Sequence, residues 1–463
     1  MRPKPRLTLA GTGMDSVALA KLVVPLGVFL VLLLAPLPGD LPPQGQRVLA
    51  IVGLAVSLWI TEVIPLAITG LLAVILLELM GGVEDVEAAL SGFASPVAYF
   101  LIGILALGLA VQKSGLAERV AGMFIAQARN SPRLLFIQML ASFPFMAFLL
   151  PSATTRNAIL IHVYEEVLER WNVPRGAPLA KAVMLGLGSL NRLASTALLT
   201  GGRVPLFAAA LLGGFEWFRW FVLLTVPFYT LLAIGGGFLY FRFRHGMREG
   251  PSVALAIERK PWSAAEIKVT VVAVVVGTLW FTDSLHGLSP AVPALIALVL
   301  VLAPFTGVLG WSEFERDLGW SNFFILASSL SLANALVNSG ASAWFADGIL
   351  AAVAPFDDVP VALVLGFMVA GIAVRLAIPN VEGYLALTIP VAVSLAGELE
   401  LNPIVCGLAV MTAGDAPFFY PAQSASGVVV YTRGHVTGGE IFRFGLLMSL
   451  VGVGTVLLIA LPY

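Results

Sequence analysis

Apolar runs of bilayer-crossing length follow one another from about residue 21 to about residue 462. No other feature restricts the fold as strongly. Inside a bilayer no water is available to bond the backbone, so every N–H and C=O must pair within the protein. Only helices and closed barrels satisfy that condition. A helical span needs about 20 mainly apolar residues, whereas a barrel strand shows about 10 of alternating polarity. The runs here are of the first kind. Charged residues make up 11% of the chain and hydrophobic residues 59%, against roughly 25% charged in a soluble protein. That is too little charge to cover a soluble surface. The sequence reads as an all-α polytopic membrane protein.

Two interruptions stand out within the runs. Pro151-Ser152-Ala153-Thr154-Thr155-Arg156-Asn157 lies between apolar flanks, and Pro379-Asn380-Val381-Glu382-Gly383-Tyr384 follows about half a chain later. Small hydroxyls with Pro and Arg make a poor helix interior and a good turn between two half-length helices. Both stretches are read as tips of re-entrant hairpins, about residues 134–170 and 358–398, expected to meet near mid-membrane. Broken spans are expected at about 178–212, interrupted from Gly186 to Thr196, and at about 402–430. Complete spans are expected near 21–38, 46–62, 66–80, 94–112, 218–241, 269–284, 289–305, 321–338 and 441–462.

This gives about 11 crossings plus two hairpins. Residues 1–45 form a leader and first span, 46–241 a first repeat, 242–268 a linker and 269–463 a second repeat. With a cytoplasmic N-terminus the largest Lys/Arg cluster, from Arg242 to Lys268, falls inside, as the positive-inside rule asks. Tyr463 then lies outside, and a cell (inner) membrane location is expected. No small-residue cleavage site follows the first run, which is read as retained.

The halves resemble each other. Trp59-Ile60-Thr61-Glu62 matches Trp280-Phe281-Thr282-Asp283, Lys113-Ser114-Gly115 matches Asn338-Ser339-Gly340, and Leu150-Pro151-Ser152 matches Ile378-Pro379-Asn380. The offsets are 221, 225 and 228. The first copy starts outside and the second inside, so the repeat is inverted, as in secondary transporters.

Several classes are excluded or disfavoured. Net charge −1 argues against a nucleic-acid partner. The single Cys406 reads as a small core residue. His162, His245, His286 and His435 show no paired spacing, so no transition-metal site is expected. No GxxxxGK[ST] loop is present, so ATP drive is not encoded here. No GxSxG or clustered His and Asp supports a membrane enzyme.

The stretch Trp59-Ile60-Thr61-Glu62-Val63-Ile64-Pro65-Leu66-Ala67-Ile68-Thr69 resembles a signature of the divalent anion/sodium symporter family. Gly92-Phe93-Ala94-Ser95-Pro96 and Gln112-Lys113-Ser114-Gly115-Leu116, with their second-half echo, add to it. The resemblance spans about residues 45–463. It implies a carrier of dicarboxylates, citrate or sulfate, a homodimer in membrane lipid, and an elevator motion of the hairpin domain. The hairpin tips of that family read Ser-Asn-Thr. Here Pro151 and Ser152 stand for the Asn and Thr of the first tip. The second keeps Asn380, with Pro379 for the Ser and Val381 for the Thr. The helix breaks of the family carry Thr-Pro-Pro-Asn. Here they read Ser195-Thr196-Ala197-Leu198 and Gln423-Ser424-Ala425-Ser426-Gly427, and Pro421 matches a family Pro.

The substrate site is therefore expected at Ser152, Thr154, Thr155, Asn380, Val381, Arg192, Arg156, Pro421 and Ser424. Intramembrane arginines are costly and default to function, and an excess of them near the tips favours an anion. Arg203 and Arg375 read as structural or snorkelling. Cation binding or coupling is expected at Asn380, Glu382, Ser195 and Gln423. Glu382 could carry a proton, pair with a tip arginine or lie at the surface. The first sodium site is expected to be absent, with Arg192, or else Arg156, in its place. A sodium ion could remain at one site, around Asn380. No other cofactor is expected. Phe215, Trp217, Phe218 and Trp220 read as an interfacial belt. The function expected is secondary active transport of small anions, most readily di- or tricarboxylates. The alternatives are an anion exchanger or proton-coupled carrier, a sulfate-type substrate, or, in another class, a membrane-embedded enzyme or a solute sensor.

Overall fold

The computed structural model describes residues 16–37, 39, 41–248, 261–353, 360–378 and 381–460. These residues form helices, with no strand among them. Among the described residues seven helices are long and apolar enough to cross a membrane, and Trp311–Asp317 with Ser321–Asn338, bent by 59°, would make an eighth if the pair is one span. Shorter apolar helices include Leu66–Leu79, Ala291–Leu302, Val361–Ala377 and Pro403–Asp415. Several are shortened by design of the sequence: Pro65, Pro290 and Asn402 start them at caps, and Asp415 ends one inside the protein.

Each interruption lies between two helices. The first joins Pro132–Leu149 to Ala153–Arg170, and the second joins Pro360–Ala377 to Val381–Glu398. Pro151 cannot donate a backbone hydrogen bond, so the first arm stops before it. Ser152 restarts the chain as an N-cap, its hydroxyl accepting from Thr155 N at 3.2 Å. Pro379 and Asn380, between the helices of the second pair, lie outside the described residues.

The first break falls later than the sequence pattern suggests, and the second somewhat earlier than Gln423–Gly427. The stretch from Gly186 to Leu190 is a π turn within a continuing helix, and Asn191–Thr196 goes on beyond it. The chain leaves helical geometry only at Leu198–Gly202, and Arg203–Leu211 completes the span. The second break runs between Pro403–Asp415 and Ala425–Tyr431.

Local conformation repeats at the matched motifs. The Trp59 indole donates to Leu66 O at 3.1 Å, and the Trp280 indole to Pro290 O at 3.0 Å. Gly115 and Gly340 both end helices with positive φ, 81° and 75°, where an L side chain is strained. Each follows a serine bonded back to its own helix, at 3.0 and 3.4 Å.

Outside the hairpins, Pro96–Ser114 packs on Ala291–Leu302. Gly103 allows the approach: a Cβ there would come within 2.5 Å of the Ala294 carbonyl carbon and 2.8 Å of its Cβ. Small residues at membrane helix contacts permit this closeness. Gly103→Val is expected to force the pair apart and cost about 1–3 kcal/mol, the range for overpacking. Thermal unfolding of the detergent-solubilised protein measures it, and an unchanged midpoint would show that the contact yields freely.

The aromatic cluster corrects the expected belt. Trp217 and Trp220 are fully buried. The Trp220 indole donates to Thr196 O at 3.1 Å and that of Trp217 to the Thr200 hydroxyl at 3.3 Å. They pin the first break from behind. Of the four residues, only Phe218 is among the exposed large hydrophobics.

Candidate functional site

Both hairpins reach the same short stretch of the first break. A Cβ on Gly202 would lie 3.3 Å from Pro151 O. The next residue, Arg203, pairs with Glu382 of the second hairpin at 2.9 Å. Glu382 is buried, so of its three readings the structure realises pairing with an arginine, although that arginine opens the helix after the break and is not at a tip.

The first tip is held by Arg156, which is fully buried. Its Nη1 donates to Leu150 O at 2.5 Å and to Gly201 O at 3.1 Å, and its Nε to Asn191 Oδ1 at 3.2 Å. Asn191 Nδ2 donates to Asn157 Oδ1 at 2.5 Å, and Asn157 Nδ2 to Ser426 O at 3.1 Å. A relay of amides thus carries the first tip across to the second break. Arg375 does the equivalent work at the second tip. Its Nη1 donates to Ile378 O at 2.6 Å, its Nη2 to Gln423 O at 3.3 Å and its Nε to Gly414 O at 3.0 Å. The Gln423 amide answers by donating to Arg375 O at 3.2 Å and accepting from Phe419 N at 2.7 Å.

Arg192 has a different environment. It forms a buried ion pair with Asp415, donates again to Asp415 O at 2.5 Å and to Pro417 O at 3.3 Å, and lies 5.9 Å from the Phe418 ring. The Thr196 hydroxyl donates to the other Asp415 oxygen at 2.5 Å. The charge of Arg192 is therefore matched within the protein, between the two breaks.

The remaining hydroxyls divide in two. Ser195 donates to Arg192 O at 2.5 Å, and Ser424 bonds Ser426 at 2.7 Å. Thr154 and Thr155 are half-buried, and no side-chain bond of theirs occurs among the described residues. Val381 and Pro421 are half-buried in the first turns of their helices, and Asn380 lies outside the described residues. A cavity of about 170 Å³ opens at the first tip, lined by Pro151, Ser152 and Thr155 against Gly108, Gln112 and Asn322. A larger cavity of about 390 Å³, at Phe100, Leu206 and Phe215, touches none of the expected site residues.

Beyond each tip and each break a helix begins, at Ala153 and Val381 and at Arg203 and Ala425. Their unpaired N–H groups and dipoles favour an anion. Sequence reasoning missed Asn157 and Asn191. The signal was present: two amides inside apolar spans, each beside an arginine.

An all-helical membrane protein with paired hairpins and breaks is a transporter architecture. The chain belongs to the family described as the sodium:sulfate symporter transmembrane region, whose model matches residues 16–463. It is 22% identical to the citrate/succinate antiporter of Escherichia coli K12, over 96% of this chain and 97% of that protein. It is 21% identical to the sodium-dependent dicarboxylate transporter SdcS of Staphylococcus saprophyticus, over 93% of this chain and 88% of that one. The crystal structure of the Alcanivorax borkumensis YdaH transporter shares the fold, with a TM-score of 0.52 and 16% identity over 80% of this chain and 85% of that one.

The family description raises the question of sodium. At the first tip the backbone oxygens that could bridge tip and break, Leu150 O and Gly201 O, already accept from Arg156. A second cation about 4 Å from that guanidinium would be repelled by roughly 4 kcal/mol at an effective dielectric of 20. Among the described residues no carboxylate bonds Arg156 to offset this. The residues at the first tip do not fit a sodium ion.

Proposed function

We propose that the protein is a secondary active transporter of small anions, with di- or tricarboxylates as substrates. The observation that carries this reading is the pair of half-buried hydroxyls, Thr154 and Thr155, left without a side-chain bond among the described residues in the first turn of the helix that begins at Ala153, with Thr155 facing the tip cavity. Partial positive charge from that N-terminus would hold a carboxylate, and the hydroxyls would donate to it. Asn380, Ser424 and Val381 would complete the site from the second repeat. The repeats would be inverted across about 11 spans, with the N-terminus cytoplasmic. The hairpins and breaks would move as one body in an elevator motion. The ties that run between them, Arg192 to Asp415, Arg203 to Glu382 and Asn157 to Ser426 O, support such a body.

Uptake of labelled citrate, succinate, malate and sulfate into proteoliposomes tests the reading. Saturable entry of a di- or tricarboxylate, above that of protein-free vesicles, is expected. Preference for sulfate would correct the substrate. Neither uptake nor binding of any of the four would refute the proposal.

A further inference from the structure

Two guanidinium groups occupy corresponding places in the two halves. Leu150 O and Gly201 O share the Arg156 guanidinium, and Ile378 O and Gln423 O share that of Arg375. Leu150 and Ile378 are 228 residues apart, and Gly201 and Gln423 are 222 apart. Both offsets fall within the spread of the repeat motifs. The carbonyl pairs are thus equivalent, one from a tip and one from a break.

The arginines themselves are not equivalent. Arg156 follows its tip carbonyl on the second arm of the hairpin, and Arg375 precedes its own on the first arm. The same pair of oxygens has been reached from opposite sides. Duplication of one ancestral arginine does not produce that arrangement. A demand for positive charge between tip and break, met separately in each half, does produce it. Both side chains are fully buried, where a charge persists only if it is tied down or used. A guanidinium never loses its proton and offers donors in a fixed fork.

We infer that Arg156 and Arg375 are tethered cations, each bridging the tip and break oxygens that a bound sodium ion would otherwise bridge, so that the site assembles without sodium. This rests on the transport reading above. A cation that cannot leave cannot carry a gradient. The energy for uphill movement must then come from another species, and counterflow of a second anion answers that need with no further site. Arg156 and Arg375 are positioning residues in this scheme.

The test uses the full chain, purified in detergent. Sodium chloride is titrated against choline chloride at constant ionic strength while thermal unfolding is followed, first without any anion and then with succinate or citrate. The wild-type midpoint is expected to be the same in both salts, and the anion Kd to agree within about twofold. In Arg156→Ala the vacated carbonyls are expected to respond to cations. Anion binding should weaken at least about tenfold, the scale of one lost charge-assisted bond. Low concentrations of methylguanidinium should restore part of it, and Arg156→Lys should fall between. Saturable stabilisation of the wild type by sodium over choline would overturn the inference. So would a folded Arg156→Ala that ignores both sodium and methylguanidinium. If Arg156→Ala does not fold, the wild-type titration and Arg156→Lys still decide. The anion-free titration does not depend on the substrate, so a failure of the transport reading shows itself separately, in the uptake assay.

Discussion

Asp415→Ala is expected to destabilise the protein by about 3–5 kcal/mol, the range for leaving one partner of a buried ion pair uncompensated. The carboxylate is fully buried, with Arg192 on one oxygen and the Thr196 hydroxyl on the other. Its removal leaves a guanidinium whose remaining partners are carbonyls of Asp415 and Pro417. The loss comes mainly from stranding the charge and less from the pair's own strength. Replacing both members, Arg192→Met with Asp415→Leu, should therefore recover most of the stability, since apolar exchange of a buried pair is often neutral or better. Thermal unfolding of the two single variants and the double variant measures the coupling. An Asp415→Ala protein within about 1 kcal/mol of the wild type would mean that water or lipid headgroups reach Arg192, contrary to its burial. Both folded variants should also lose anion binding, because the pair sets the spacing of the two breaks.

A loss of similar size, about 3–5 kcal/mol, is expected for Trp220→Ala. The indole is fully enclosed, packs edge-on to Phe215 at 5.3 Å and holds Thr196 O. In a membrane the usual transfer from water contributes little, because lipid is as apolar as the core. The cost lies in the cavity and in the freed Thr196 carbonyl. Trp220→Phe keeps most of the volume and should lose about 1–3 kcal/mol, the cost of leaving a buried carbonyl without its donor. If the two variants lost equal amounts, the hydrogen bond and not the packing would be holding the break. Thr196 also donates to Asp415, so the two perturbations meet at one residue and should not add.

The architecture was legible because hydropathy, proline and repeated motifs are local signals. Pro151 and Ser152 announce a turn and a cap wherever they stand. Trp59 and Trp280 announce equivalent turns. Partners distant in sequence leave no such trace. Nothing near Arg192 marks Asp415, 223 residues away, as its counter-ion. Likewise the clamp made by Arg375 depends on Gln423, 48 residues on, so Arg375 reads from sequence as merely costly. The first break was placed too early because Gly186, Gly188 and Ser189 look like breakers. A helix inside a protein absorbs such residues in a π turn, with the Ser189 hydroxyl 2.8 Å from Tyr431 Oη. The tryptophans misled for a related reason. An interfacial and a buried indole have the same composition, and only the neighbours Thr196 and Thr200 tell them apart.

The ion pairs between the first and second halves of the chain bear on how it is made. Arg192 and Arg203 lie in the first half, while their acids Asp415 and Glu382 lie in the second. Synthesis runs at about 5–20 residues per second. The 223 residues between Arg192 and Asp415 therefore leave the first guanidinium without its acid for about 10–45 s. During that interval the nascent first half holds two unmatched positive charges within otherwise apolar segments. The first broken span must stay near water or the insertion machinery until the second half emerges. The order of synthesis thus sets the earliest moment at which these two ion pairs can form, after Glu382 and then Asp415 have left the ribosome.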